Sequence, residues 1–251
     1  MKDFENIETI DDILSREREM VPSAEKDYPE AFANASGFNN LLNNFLKEAN
    51  SESWIFMLFL SQVKKYHTLA LFSAARLHHI QAMLNLRQVL EAGANAAYGL
   101  ANPIKEDFIV VIENDLLDAP KSLEEKRRKW LKKNHEKHSD FIRNMKKSIN
   151  ISCAHSNMIY AFQNFSMANY QFDTPFFDFK EDHRVEADFW LISNIAMSIM
   201  DLFYGINKEA KRVTFIDDFV SRLKKLENDN HALKSELQKH PRFQILVTHN
   251  R

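Results

Sequence analysis

The chain has 251 residues, with 33 Lys and Arg against 35 Asp and Glu, and 45% of its residues are hydrophobic. That length and apolar content support a sizeable folded core and argue against a disordered chain. The glycines Gly37, Gly93, Gly99 and Gly205 stand too far apart for a phosphate-cradling loop, and a single Cys excludes an intrachain disulfide or a Cys-pair zinc site.

The near-zero net charge hides segregation. Residues 1–36 carry ten acids and four bases, whereas residues 121–147 carry eleven bases and four acids. The start is acidic and lacks an apolar core, so it is not a signal peptide. The longest unbroken apolar run, Trp54 to Leu60, falls short of the ~18–20 residues of a membrane span. The expectation is a cytoplasmic protein with no membrane partner.

In chain order, residues 1–20 read as a short acidic helix, and Pro22 and Pro29 then predict a loop to Ser36-Gly37. A helix is expected from Asn39 to about Ala49, on Leu41, Leu42, Phe45 and Leu46. Ser53 can cap the next, reaching about Tyr66. Residues 67–101 hold no Pro, and Leu69, Phe72, Leu77, Ile80, Met83, Leu84, Val89 and Leu90 recur at helical steps, which predicts one long core helix. Asn102-Pro103 stops it, and a shorter helix is predicted over 105–117.

After Asp118-Ala119-Pro120, Ser122 and Glu125 form a capping-box pattern that opens a basic helix to about Ser148. A turn and helix follow Asn150, then a loop around Pro175. A second very apolar helix is expected over 185–206, with Gly205 as its C-cap, and a last helix over 212–240 before Pro241. The tail 242–251 has strand character. The sum is an all-α, multi-helix bundle with a C-terminal coiled-coil helix. Its parts are an acidic segment 1–36, a helical bundle domain 37–206, and a coiled-coil helix and tail 207–251.

The coiled-coil expectation rests on heptads. Ile216, Leu223, Asn230 and Leu237 fall at a; Phe219, Leu226, Leu233 and His240 fall at d. One Asn at an a position is how a parallel two-stranded zipper fixes register, and Arg222–Glu227 and Asp229–Lys234 would attract across it. The segment resembles a leucine zipper without a DNA-binding basic region, and predicts a homodimer.

Arg76, His79, Arg87, Glu91 and Asn95 form a polar stripe on the long core helix, and Cys153-Ala-His155-Ser156-Asn157 is a second polar cluster. Arg87 and Glu91, four apart, either satisfy each other and fix helix register or line a pocket near His155. No HExxH motif accompanies His78, His79, His135 or His138, so neither a metal nor a cofactor is expected.

LRQVLEAGANAAYGLAN at 86–102 and the later NISCAHSNM are similar to a group of uncharacterised bacterial all-helical proteins, sometimes compared with the HEPN family. The resemblance spans about 40–206 and implies Arg87, Glu91, His155 and Ser156 as site residues. The group has no established reaction. HEPN ribonucleases pair an Arg with a His across four to six intervening residues, at a dimer interface. Here that spacing matches Arg128 and His135, although Lys129 departs from the family pattern. Two functions follow as expectations. One is a non-catalytic assembly or regulatory protein whose basic 121–147 segment meets an acidic protein or RNA. The alternative is a HEPN-like metal-independent ribonuclease of toxin or phage-defence type. The nearest neutralising partner for the basic segment is the N-terminal set Asp11, Asp12, Glu17 and Glu19.

Overall fold

The computed structural model describes residues 9–111, 117–153, 165–168, 171–173 and 176–241. Among these are eight α-helices and three two-stranded ribbons, so the all-α bundle expected from the sequence is what forms.

Helix α1 spans Ile10–Asp27, and Thr9 caps it: Asp12 N–H donates to the Thr9 hydroxyl and Thr9 N–H donates to the Asp12 carboxylate. The loop expected over 22–37 is helical instead. Pro22 lies exposed within α1, where water can serve the carbonyl it leaves unbonded. Pro29 opens α2 (Pro29–Asn44) at the position where a missing N–H costs nothing. The next helix does not reach Ala49. β1 (Leu46–Ala49) pairs antiparallel with β6 (Val213–Phe215), Ala49 opposite Val213 and Leu46 opposite Phe215.

The single long helix expected over 67–101 is half of a hairpin. α3 (Trp54–Ala75) and α4 (His79–Ala101) are separated by a reversal at Arg76–His78. Leu77 takes a left-handed φ of 58°, which is strained for a leucine. Tertiary contacts hold it there: Asp178 N–H donates to the Leu77 carbonyl, and the Asp178 carboxylate accepts from His79 N–H at 2.8 Å. The helix expected at 105–117 is also corrected. Lys105–Asp107 is one 3₁₀ turn, and β2 (Val110–Val111) pairs with β3 (Leu117–Asp118).

The basic helix divides in two, α5 (Leu123–Asn134) and α6 (Glu136–Cys153), at a non-helical His135. The capping box at Ser122 does not form, because Ser122 is itself helical and Glu125 pairs with Lys129 at 2.7 Å. β4 (Ser166–Ala168) and β5 (Gln171–Asp173) form a ribbon before α7 (Asp182–Ala210). Gly205 lies inside α7, and the helix ends on left-handed Lys211. There the Asn207 side chain accepts from Arg212 and Val213 N–H groups and donates to the Val213 carbonyl. α7 is long and apolar enough to cross a membrane by length and composition alone, and 56% of its apolar window is buried inside the bundle.

α7 is the central post. The α3–α4 hairpin covers one side, α2 and α8 (Phe219–Leu237) cover another, and α5 and α6 lean on α4. Leu41, Leu42, Leu60, Leu86, Leu90, Phe189, Ile192, Ile199 and Phe203 are sealed between them. One core runs from Ala24 to Phe219, across the boundary expected near Asn207.

The zipper seam is covered from within the chain. Phe219, Asn230 and Leu237 are buried, and Ile216, Leu223, Leu226 and Leu233 pack partly buried against the same core. Phe219 sits 5.8 Å from Phe45 and 4.7 Å from Phe215, and Asn34 donates to the Leu226 carbonyl across α2 and α8. The face that the heptads assign to a second copy is therefore taken up by α2 and α7. Amphipathic periodicity fixes which face is buried and leaves the covering partner open. The tail 242–251 lies outside the described residues.

Candidate functional site

The break at His135 builds the most distinctive concavity. α5 buries Leu123 and Leu131, α6 buries Ile142 and Ile149, and the two lean together on α4. With their apolar residues turned inward, both helices present cations along the space between them. The cleft holds about 700 Å³. Leu90 and Ala94 of α4, with Leu131 and Ile142, give it an apolar floor. Arg127, Arg128, Lys129, Lys132, Lys133, Arg143, Lys146 and Lys147 surround it, against the carboxylates of Glu91 and Glu124.

Arg127 is the deepest cation. It donates to the Asn95 side-chain oxygen, a neutral acceptor. Burial pulls its pKa below the usual arginine value, opposed by the Glu124 and Glu91 carboxylates. Arginine stays charged even so, and a buried charge of this kind favours a counter-anion. Around it, Lys146 meets Glu91 at 3.0 Å, Lys132 meets Glu136 at 2.6 Å and Asp140 at 3.1 Å, and Arg143 meets Asp140 at 3.1 Å. Arg128, Lys133 and Lys147 make no ion pair among the described residues.

Among the described residues, Asp11, Asp12, Glu17 and Glu19 make no ion pair with this basic segment. Asp12 is spent on the α1 cap, and Glu17 meets His78 at 3.3 Å. α1 packs on α2 and α3, away from α5. Neutralisation is instead local, by carboxylates of α4 and of α5 and α6 themselves.

The expected Arg87–Glu91 pair forms at 3.4 Å, with both side chains about one-third exposed. It is thus neither a sealed core pair nor a free one: Glu91 bridges Arg87 to Lys146 at the cleft wall. Asn95, one turn further, holds Arg127. His79 leaves this stripe and meets Asp188 at 2.8 Å. His155 and Ser156 lie outside the described residues.

Arg128 and His135 are not brought together. Arg128 lines the cationic cleft, whereas His135 lines another hollow with Trp130, Asn134 and Glu209. Its ring lies 5.3 Å from Trp130, and burial together with His138 pulls its pKa down. Sequence spacing treats 122–148 as one helix, on which residues seven apart share a face; the break at His135 ends that register. Sequence reasoning singled out Asn95 but did not join it to Arg127 and Lys146. The signal for the two cations was the cation excess itself, but nothing in the linear order showed that α5 and α6 fold over α4.

No family model, curated protein or solved structure matches the chain. The likeness to HEPN-related proteins therefore rests on the residues quoted for it.

Proposed function

We propose that this chain is a non-catalytic, regulatory binding protein whose α4–α5–α6 cleft takes up an anion carrying an aliphatic body. The observation that carries this reading is the cleft's composition: a partly buried guanidinium and seven further cations over an aliphatic floor. Its volume of about 700 Å³ suits a small molecule. The floor is aliphatic, whereas single-stranded nucleic acid favours aromatic platforms on which bases stack. Anion and apolar body together answer both features; inorganic phosphate answers only the first.

The test compares octyl phosphate, octanol and inorganic phosphate by calorimetry and thermal shift. Octyl phosphate should bind at least about tenfold more tightly than either fragment. Arg127→Gln should remove most of that gain, and the Arg128→Glu, Lys133→Glu, Lys147→Glu triple variant should weaken it further. Equal response to phosphate and octyl phosphate would reject the amphiphile reading. Tight binding of a mixed RNA 20-mer, retained between ~50 and ~200 mM salt, would favour the ribonuclease reading instead.

A further inference from the structure

The cationic cleft holds more positive charge than one negative group can meet. Lys129 is held by Glu125, Lys132 and Arg143 share Glu136 and Asp140, and Lys146 shares Glu91 with Arg87. Those cations are answered within the chain. Arg127, Arg128, Lys133 and Lys147 make no ion pair among the described residues, and there Glu124 is the one carboxylate lining the cleft that is not already paired. Four cations against one carboxylate leave a surplus of three.

Most of the surplus sits at one end. Arg127, Arg128 and Lys147 stand at least seven residues from the break at His135, and Lys147 follows Lys146, which meets Glu91 of α4. The buried aliphatic residues lie one helical turn nearer the break: Leu131 four residues after Arg127 on α5, and Ile142 four residues before Lys146 on α6. Charge and apolar surface thus follow each other along the cleft, about 6 Å apart. Ser139, four residues past the break, lines the apolar end. No histidine lines the cleft among the described residues.

We propose that the ligand of this cleft is an alkyl phosphate monoester, whose dianionic head meets Arg127, Arg128 and Lys147 and whose chain runs over Leu131 and Ile142 toward His135. This assignment rests on the amphiphile reading of the cleft and adds the charge and the direction of the ligand. A second negative charge a few ångströms from two or three cations is worth about tenfold in affinity even at the dielectric of water. A carboxylate or a sulfate ester carries one charge and leaves most of the surplus unmet.

Calorimetry on the full chain at ~50 mM salt compares octyl phosphate with octyl sulfate, whose head has the same tetrahedral shape and one charge fewer. At about pH 8 octyl phosphate should bind at least about tenfold more tightly. Its affinity should fall about tenfold between about pH 8 and about pH 5, as its head gains a proton near pH 6, and that of octyl sulfate should hold. The Arg128→Gln, Lys133→Gln, Lys147→Gln triple variant, at three exposed positions, should keep the wild-type melting transition and cut the preference for phosphate below about threefold. Ser139→Phe should weaken octyl phosphate and spare ethyl phosphate. Octyl sulfate bound as tightly as octyl phosphate at about pH 8 would overturn the dianion and leave the amphiphile reading standing. Equal losses of ethyl and octyl phosphate in Ser139→Phe would overturn the direction. Octyl phosphate no tighter than inorganic phosphate would strike the amphiphile reading itself, and this assignment with it.

Discussion

His67 is fully buried in α3, with Nδ1 2.9 Å from the Asn39 side-chain oxygen and Nε2 3.3 Å from the Ile192 carbonyl. Burial lowers its pKa from 6.5 to about 4. The folded chain therefore binds fewer protons than the unfolded chain between those values. Stability from this group is complete above about pH 6.5, falls as the pH drops, and levels off below about pH 4, a loss of about 3 kcal/mol. Urea melts across that range should show this slope in the wild type and lack it in His67→Gln. Glu91 is a smaller case. Its contacts to Arg87 and Lys146 are about one-third exposed, so Glu91→Ala should cost about 1 kcal/mol or less, and the difference should shrink in high salt. A loss of several kcal/mol by chemical denaturation would mean the pair is sealed from water.

At the level of elements, α4 is legible in one respect and hidden in another. The stretch Ala92–Leu100, rich in Ala and Gly, is small because α4 is covered on several sides. A Cβ at Gly93 would lie 2.7 Å from Ile199 Cδ1, and one at Gly99 would lie 2.6 Å from Ile55 Cγ2. Ile55 is β-branched and cannot swing aside in a helix. Gly99→Ala should therefore destabilise by about 1–3 kcal/mol despite the better helix propensity of alanine, measured as a lower unfolding midpoint. Apolar periodicity located α7 and α8 well, because it reports the buried face. It did not locate the α3–α4 reversal: Leu77 carries no turn residue, and its conformation is held by Asp178, a hundred residues away. Pro22 misled in the other direction, since an exposed proline can be accommodated in a helix. The cleft was half legible: its cations and Glu91 stand out in the sequence, whereas the fold-over at His135 depends on α4 as a platform.

For the whole molecule, the heptads at 213–240 predict a removable dimerisation arm, and the packing predicts the opposite. Phe219, Asn230 and Leu237 are buried against the bundle. Deleting residues 213–251 should abolish cooperative thermal melting, followed by circular dichroism, because it uncovers the apolar faces of α2 and α7. A truncated chain that melts sharply would show α8 to be dispensable. Charge is also organised at this scale: binding at the cationic cleft should weaken as salt rises.

The β1–β6 ribbon joins residues 46–49 to residues 213–215, and α2 is closed over by α8. During vectorial synthesis these early segments leave the ribosome long before their partners exist. At about 5–20 residues per second the wait is on the order of 10 to 30 s. The α3–α4 hairpin, whose contacts are near neighbours in sequence, can form during that interval; α2 cannot bury Phe38, Leu41 and Leu42 until α7 and α8 emerge. Nascent chains stalled before residue 213 should thus be cut by protease within 29–44 and spared within 54–101, and a holdase chaperone should find its binding site on α2.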